Sequence, residues 1–291
     1  MTPASDIMIA ACRRLEIDHT GAELIRAGEN TLFRLPGGIV ARVSRPGQIT
    51  AARKEIRVSQ WLQANGIPVI EHIPHLPQPV DVDGVAVTFW RELPAHREGS
   101  IEQVAEVLRR IHALHPPAAL ELPPLAPFTR LEQRIAEATV LHQADQDWLL
   151  ERLAHLERRY DDMLDAHSVG AVHGDAWGGN IVATTDGPVV LDLERFADGP
   201  PEWDLTSIAV DHFTFGTMSA EEWAAFCRHY GRDVAEWPGF PVLRDARELR
   251  KVTFAAQMAT QFPHLAAQAR YRLACIRGEQ GPRPWNWTPV P

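Results

Sequence analysis

The sequence predicts an α+β protein of two lobes, a small β-rich lobe over residues 1–93 and a larger, mostly helical lobe over residues 94–291. β-Branched runs gather in the first ninety residues, whereas apolar stripes at helical spacing dominate after Ser100. Between these regions lies a polar connector, ELPAHREGS, at residues 92–100.

In the first lobe, IVARV (residues 39–43) and VAVTF (residues 85–89) are short β-branched runs with Gly-Gly or Gly just before them. Between them, ITAARKEIRVSQWLQANG places Ile49, Ala52, Ile56 and Trp61 at roughly helical spacing. The Asn65-Gly66 pair, with Pro68 beyond it, ends that helix. The lobe therefore reads as strands around one helix.

Ser100 and Gln103 then form a capping box ahead of the stripe Ile101, Val104, Leu108, Ile111 and Leu114. HPPAALELPPLAPF breaks the pattern, and helix resumes with Trp148, Leu149, Leu153, Leu156 and Tyr160 on one face. Two β-like runs, VGAVHGD and GPVVLDLE, lie between residues 169 and 194 and read as a hairpin within the helical lobe. A second capping box, Ser219 with Glu222, precedes Trp223, Phe226, Cys227 and Tyr230. The tail GPRPWNWTPVP is too rich in Pro for a helix and is expected to pack on the surface through Trp285 and Trp287.

A chain of 291 residues with 45% hydrophobic residues and nine Trp has enough apolar mass for a sizeable core. Its net charge of −9 argues against nucleic acid as a partner, because phosphate binding needs clustered Lys and Arg. Three well-separated cysteines without a CxxC pair imply neither a disulfide framework nor a zinc site. No basic leader and no long apolar run is present, so the reading is a soluble, cytoplasmic protein without a membrane partner. Nothing in the sequence sets the oligomeric state.

The chemistry gathers in VHGDAWGGN, residues 172–180. Phosphoryl transfer needs an acid near the acceptor hydroxyl, hard oxygen ligands for magnesium and a cation on the phosphates. Asp175 stands five positions before Asn180, the spacing of catalytic acid and amide ligand in the kinase pattern H-R-D-x-x-x-x-N, and His173 stands two before the acid. Asp192 ends the apolar strand VVLD, where a second metal ligand would be presented. Gly178 and Gly179 are expected to let the backbone turn between acid and amide.

His173-Gly-Asp, Asn180 and Asp192 together resemble the aminoglycoside phosphotransferase and choline-kinase-like family, whose loop reads HGDxxxxN before a D-x-D/E strand end. GPPEWDL (199–205) resembles the family's segment after the metal strand, and GENTLFRL (28–35), with Asn30, its nucleotide loop. VTFWREL (87–93) resembles the last small-lobe strand and the hinge, with Arg91 and Leu93, whose backbone meets the base. The resemblance implies a two-lobed, protein-kinase-like fold and a phosphotransferase using Mg2+ with ATP or GTP. It implies catalysis by Asp175, metal binding by Asn180 and Asp192, loop ordering by His173 and Asp204, and Glu55 paired with a phosphate-binding cation. That cation is Arg42 where the family carries Lys; Arg keeps the charge and changes the reach. Glu194 braces the site or touches metal, with bracing favoured, and Trp177 faces substrate or packs in the core.

The acceptor implied is a hydroxyl of a small molecule, since Asp192 and Glu202 are only ten positions apart, too few for a peptide-docking segment. An aminoglycoside or other antibiotic is one candidate class; fructosamine, homoserine, choline and methylthioribose kinases are alternatives, as is a nucleotide-binding pseudokinase. Asp211 and Glu248, with His212 and Asp245 nearby, are the polar residues expected to meet the acceptor.

Overall fold

The computed structural model describes residues 3–164 and 169–290. The elements begin with α1 (Ala4–Arg14), β1 (Glu23–Arg26), β2 (Thr31–Leu35), β3 (Ile39–Pro46), α2 (Ile49–Ala64), β4 (Val80–Val82), β5 (Val85–Arg91) and β6 (Arg97–Glu98). Then come α3 (Ile101–His112), α4 (Leu131–Glu137), α5 (Gln143–Leu164), β7 (Gly170–Val172), β8 (Ile181–Thr184), β9 (Gly187–Val190) and β10 (Ala197–Gly199). The chain ends with α6 (Glu202–Val210), α7 (Ala220–Tyr230), α8 (Phe240–Gln261) and α9 (Ala266–Ile276). Among the described residues no helix is long and apolar enough to cross a membrane.

Two compact units interleave along the chain. The first comprises Met1–Gln103, Leu114–Leu122 and Gly178–Phe196; the second comprises Val104–Ala113, Pro123–Trp177 and Ala197–Pro291. The first unit thus runs past residue 93 and takes in the β8–β9 hairpin.

The first unit is built on an antiparallel sheet of order β1-β2-β3-β5-β4. Ala41 pairs with both Phe33 and Phe89, and these buried residues join Ile7, Met8, Ala11 and Cys12 of α1 in one core. The neighbouring position, Arg42, pairs with Leu32 and Thr88, so strand alternation sends it to the opposite face. The sequence reading of one helix in this lobe missed α1. That helix starts at a Pro with no side-chain cap and buries Ile7, Met8, Ala11 and Cys12, a stripe short enough to pass for a loop. Helix α2 forms where its pattern placed it and ends at Asn65, with Gly66 in the left-handed region.

In the second unit, α4, α5, α8 and α9 share a core that includes Leu131, Ile135, Leu149, Leu153, Leu249 and Leu273. Trp285 and Trp287 belong to this core, 5% and 1% exposed, with their rings stacked at 5.4 Å. The tail thus lies on the surface, with Pro282, Pro284, Asn286, Thr288 and Pro289 exposed, and is held there by the two buried indoles. Both capping boxes form, Ser100 with Gln103 and Ser219 with Glu222.

The two β-like runs are not partners of each other. β7 pairs with β10, Val172 opposite Ala197 and Gly170 opposite Gly199, while β9 pairs with β8. At Gly199 a Cβ would lie 2.6 Å from that of Leu125, so only glycine fits this approach.

Candidate active site

In the first unit the site is organised around Arg42. Its guanidinium donates to the Glu55 carboxylate on α2 and, at 3.2 Å, to Glu194 after β9. Asn30, with its amide oxygen turned to the guanidinium, accepts from Arg42 Nη2 at 2.7 Å and Nε at 3.2 Å. Burial pushes the Glu55 carboxyl up, and Arg42 pulls it back only in part. Beside Glu55, Lys54 is buried and donates from Nζ to the carbonyl oxygens of Glu194 (2.6 Å) and Phe196 (2.8 Å). Lys54 thereby fastens the segment that follows Asp192 to α2. Burial lowers its pKa, against the pull of Glu55, Glu194 and Asp192.

The hairpin of β8 and β9 sets Asn180 and Asp192. Ile181 pairs with Val190, and at its open end the Leu191 N–H donates to the Asn180 carbonyl at 2.8 Å. Asp192 follows with φ of 50°, a left-handed conformation that Asp tolerates better than most non-glycine residues, and is exposed. An amide and a carboxylate at one hairpin end are hard oxygen donors, the types magnesium takes. Gly178 does not hold a positive φ; a Cβ there would meet the Gly99 carbonyl at 2.9 Å. Its role is close approach, and the left-handed glycine of the motif is Gly174, with φ of 84°.

In the second unit, β7 delivers His173, Gly174 and Asp175, and the first turn of α6 delivers Asp204. The buried Asp204 carboxylate accepts the His173 N–H at 2.7 Å, the Gly174 N–H at 2.9 Å and His112 Nε2 at 3.1 Å. Burial alone would raise its pKa, but the His112 hydrogen bond and charge, with His173, hold it below the ordinary value. The Trp203 indole donates to the Gly174 carbonyl at 3.0 Å, and Arg247 lies 3.8 Å over the Trp203 ring with Nη2 3.4 Å from the same carbonyl. His173 is buried, and its Nδ1 accepts the Asp175 N–H at 3.3 Å, which leaves the ring proton on Nε2 in the neutral form. Asp175 itself is half-buried.

The remaining expected residues divide by what they touch. The Arg91 side chain pairs with Glu71 at 2.9 Å and its N–H donates within the sheet region, whereas the Leu93 backbone has no hydrogen-bond partner among the described residues. Trp177 is 46% exposed, which excludes core packing. Asp211 opens the turn after α6, half-buried, and burial pushes its carboxyl up to about 6. Glu248 is 2% exposed and accepts from Thr214 and from two Arg283 nitrogens at 2.7 and 2.6 Å, so its carboxylate clamps the C-terminal segment and presents no oxygen to an acceptor. His212 bonds the Met218 carbonyl and stacks on Trp223, and Asp245 pairs with Arg152 and Arg244. Lys54, His112, Arg247 and Lys251 escaped the sequence reading. Only Lys54, beside Glu55 on a helix already in hand, carried a local signal.

Comparison with known proteins gives the family and the fold. The sequence model of the phosphotransferase enzyme family matches residues 27–245. No curated protein gives a match. Among solved structures, a choline/ethanolamine kinase family protein from Mesorhizobium loti is 18% identical with a TM-score of 0.63, over 96% of this chain and 95% of that one. An amicoumacin kinase in complex with AMP-PNP, Ca2+ and Ami is 12% identical with a TM-score of 0.67, over 92% and 93%. An aminoglycoside phosphotransferase from Streptomyces rimosus is 19% identical with a TM-score of 0.59, over 82% and 97%. These likenesses show the two-lobed kinase-like fold, an antiparallel sheet lobe with a helical one. With three quarters of its length matched by the family's sequence model, the chain belongs to the phosphotransferase enzyme family.

Proposed function

We propose that the protein moves the γ-phosphoryl group of ATP or GTP to a hydroxyl of a small molecule, in a magnesium-dependent reaction. The observation that carries this reading is the hairpin that pairs Asn180 with the Leu191–Asp192 corner, five positions after an acid whose loop is tied down by Asp204. An amicoumacin kinase of this fold, solved with AMP-PNP, supports the nucleotide as co-substrate.

In this reading Arg42, steadied by Glu55 and Asn30, neutralises the α- and β-phosphate oxygens. The open backbone of Leu93 meets the base. Asn180 and Asp192 would hold the metal, which when bound supplies charge neutralisation on the phosphates. Asp175 orients the acceptor hydroxyl and takes its proton as the oxygen attacks phosphorus; the new P–O bond forms, the bond to the β–γ bridging oxygen breaks, and the nucleoside diphosphate leaves. His173 and Asp204 keep the loop in shape and touch neither reactant. Glu194 braces Arg42.

The test is a screen for nucleoside diphosphate release with ATP or GTP over aminoglycosides, peptide antibiotics and metabolic alcohols, with and without magnesium. Asp192→Ala is expected to abolish magnesium-dependent transfer, and near-normal turnover in that variant overturns the metal assignment. Nucleotide binding with no acceptor turned over contradicts the enzyme reading.

A further inference from the structure

Acceptor chemistry can be read from the charges that helix α8 brings to the Asp175 loop, all within the second unit. Arg247 reaches the Gly174 and Trp203 carbonyls at 3.4 and 3.2 Å, and Lys251 stands one turn further along the same face. The Lys251 ammonium lies 5.9 Å from the Phe215 ring, in the turn that Asp211 opens. Lys251 is exposed and Asp211 half-buried, yet neither side chain has a hydrogen bond or a salt bridge among the described residues. Both acids on α8 itself are engaged, Asp245 by Arg152 and Arg244, Glu248 by Thr214 and Arg283. Asp211 and Lys251 lie within electrostatic reach of each other, and Lys251 also of Asp175, without being joined.

Resting on the phosphotransferase reading, we infer that Asp211 and Lys251 form a two-point acceptor subsite, and that the acceptor is a hydroxyl compound carrying one ammonium and one carboxylate. A polyamine needs an excess of open carboxylates. Here Asp175 and Asp211 are accompanied by Arg247, Lys251 and the buried Arg272. The electrostatics agree: burial holds Asp211 near the edge of ionisation, at about 6, against the pull of Lys251 and Arg247. Lys251 loses affinity for its proton through desolvation by its surroundings, although solvent reaches its side chain, and regains part of it from Asp175 and Asp211. An ammonium on Asp211 and a carboxylate on Lys251 would complete both.

The test uses matched acceptors. L-Homoserine is compared with 3-amino-1-propanol, which lacks the carboxylate, and with 4-hydroxybutanoate, which lacks the amine; L-serine is compared with ethanolamine and 3-hydroxypropanoate; kanamycin is the polyamine. The expected result is a kcat/KM about tenfold higher for a zwitterion than for either of its counterparts. Lys251→Gln should erase the advantage over the amine through KM, Lys251→Arg should keep it, and Asp211→Asn should erase the advantage over the acid. Transfer to kanamycin with both zwitterions idle overturns the inference, as does transfer to no acceptor of the set, or a preference that survives Lys251→Gln. A melting temperature that does not respond to magnesium-ATP is a different failure: it removes the phosphotransferase reading and the subsite with it.

Discussion

Arg42 and Asp204 are mirror images in charge and opposites in setting. Arg42 is a cation among acceptors, Glu55, Glu194 and Asn30, and its side chain keeps 17% of its exposure. Asp204 is an anion among donors, His173 N–H, Gly174 N–H and His112, and is wholly buried. A charge left partly open can exchange a side-chain partner for a ligand, whereas a closed one can only hold shape. On the proposed reading Arg42 serves binding and Asp204 serves loop architecture, and variants can break the contrast from either side.

The largest effect is expected at the closed anion. Asp204→Ala leaves two backbone N–H groups and His112 without their acceptor and should lower unfolding free energy by about 3–5 kcal/mol, read from the denaturant midpoint. A loss below about 1 kcal/mol would contradict this anchoring role. Next comes Asp211, whose folded pKa of about 6 lies above the ordinary 3.8. The native state then holds that proton more tightly than the unfolded chain, so this group's contribution to stability is lost as pH rises from about 4 through about 6. Asp211→Asn, which lacks the ionisation, should be more stable than the wild type at pH 7 by about 1–3 kcal/mol, with the gain fading towards pH 4 in paired thermal melts. An equal gain at both pH values contradicts the assignment. The smallest effect belongs to the open cation: Arg42→Met should raise KM for the nucleotide about tenfold, and Arg42→Lys should recover part of the loss. A nucleotide KM unchanged in Arg42→Met would place the phosphate contact elsewhere.

What was legible in the sequence was local. The candidates Asp175, Asn180 and Asp192 stand out by offset alone, and the capping boxes at Ser100 and Ser219 satisfy N–H groups three residues away. Helix α2 carried its own stop signal in Asn65-Gly66. What failed was long-range. The partner of β7 lies across a whole hairpin, at β10, and no turn chemistry announces that pairing. Arg247 and His112 act on a loop 73 and 92 residues from them or its anchor, so their burial, not their spacing, reveals them. Glu248 looked like an exposed acid on a helix and is instead closed by Arg283. Gly178 lies in the turn its sequence indicated, but its close approach to the Gly99 carbonyl had no local signal.

The measurement that bears most directly on this account is Asp175→Asn, assayed for nucleotide affinity by calorimetry and for phosphoryl transfer by single-turnover kinetics. If Asp175 is the acid that takes the acceptor proton, magnesium-nucleotide affinity should stay within about twofold while the transfer rate falls by about 10²–10⁴. Transfer within a few-fold of the wild type, in a variant that still binds nucleotide, would contradict it.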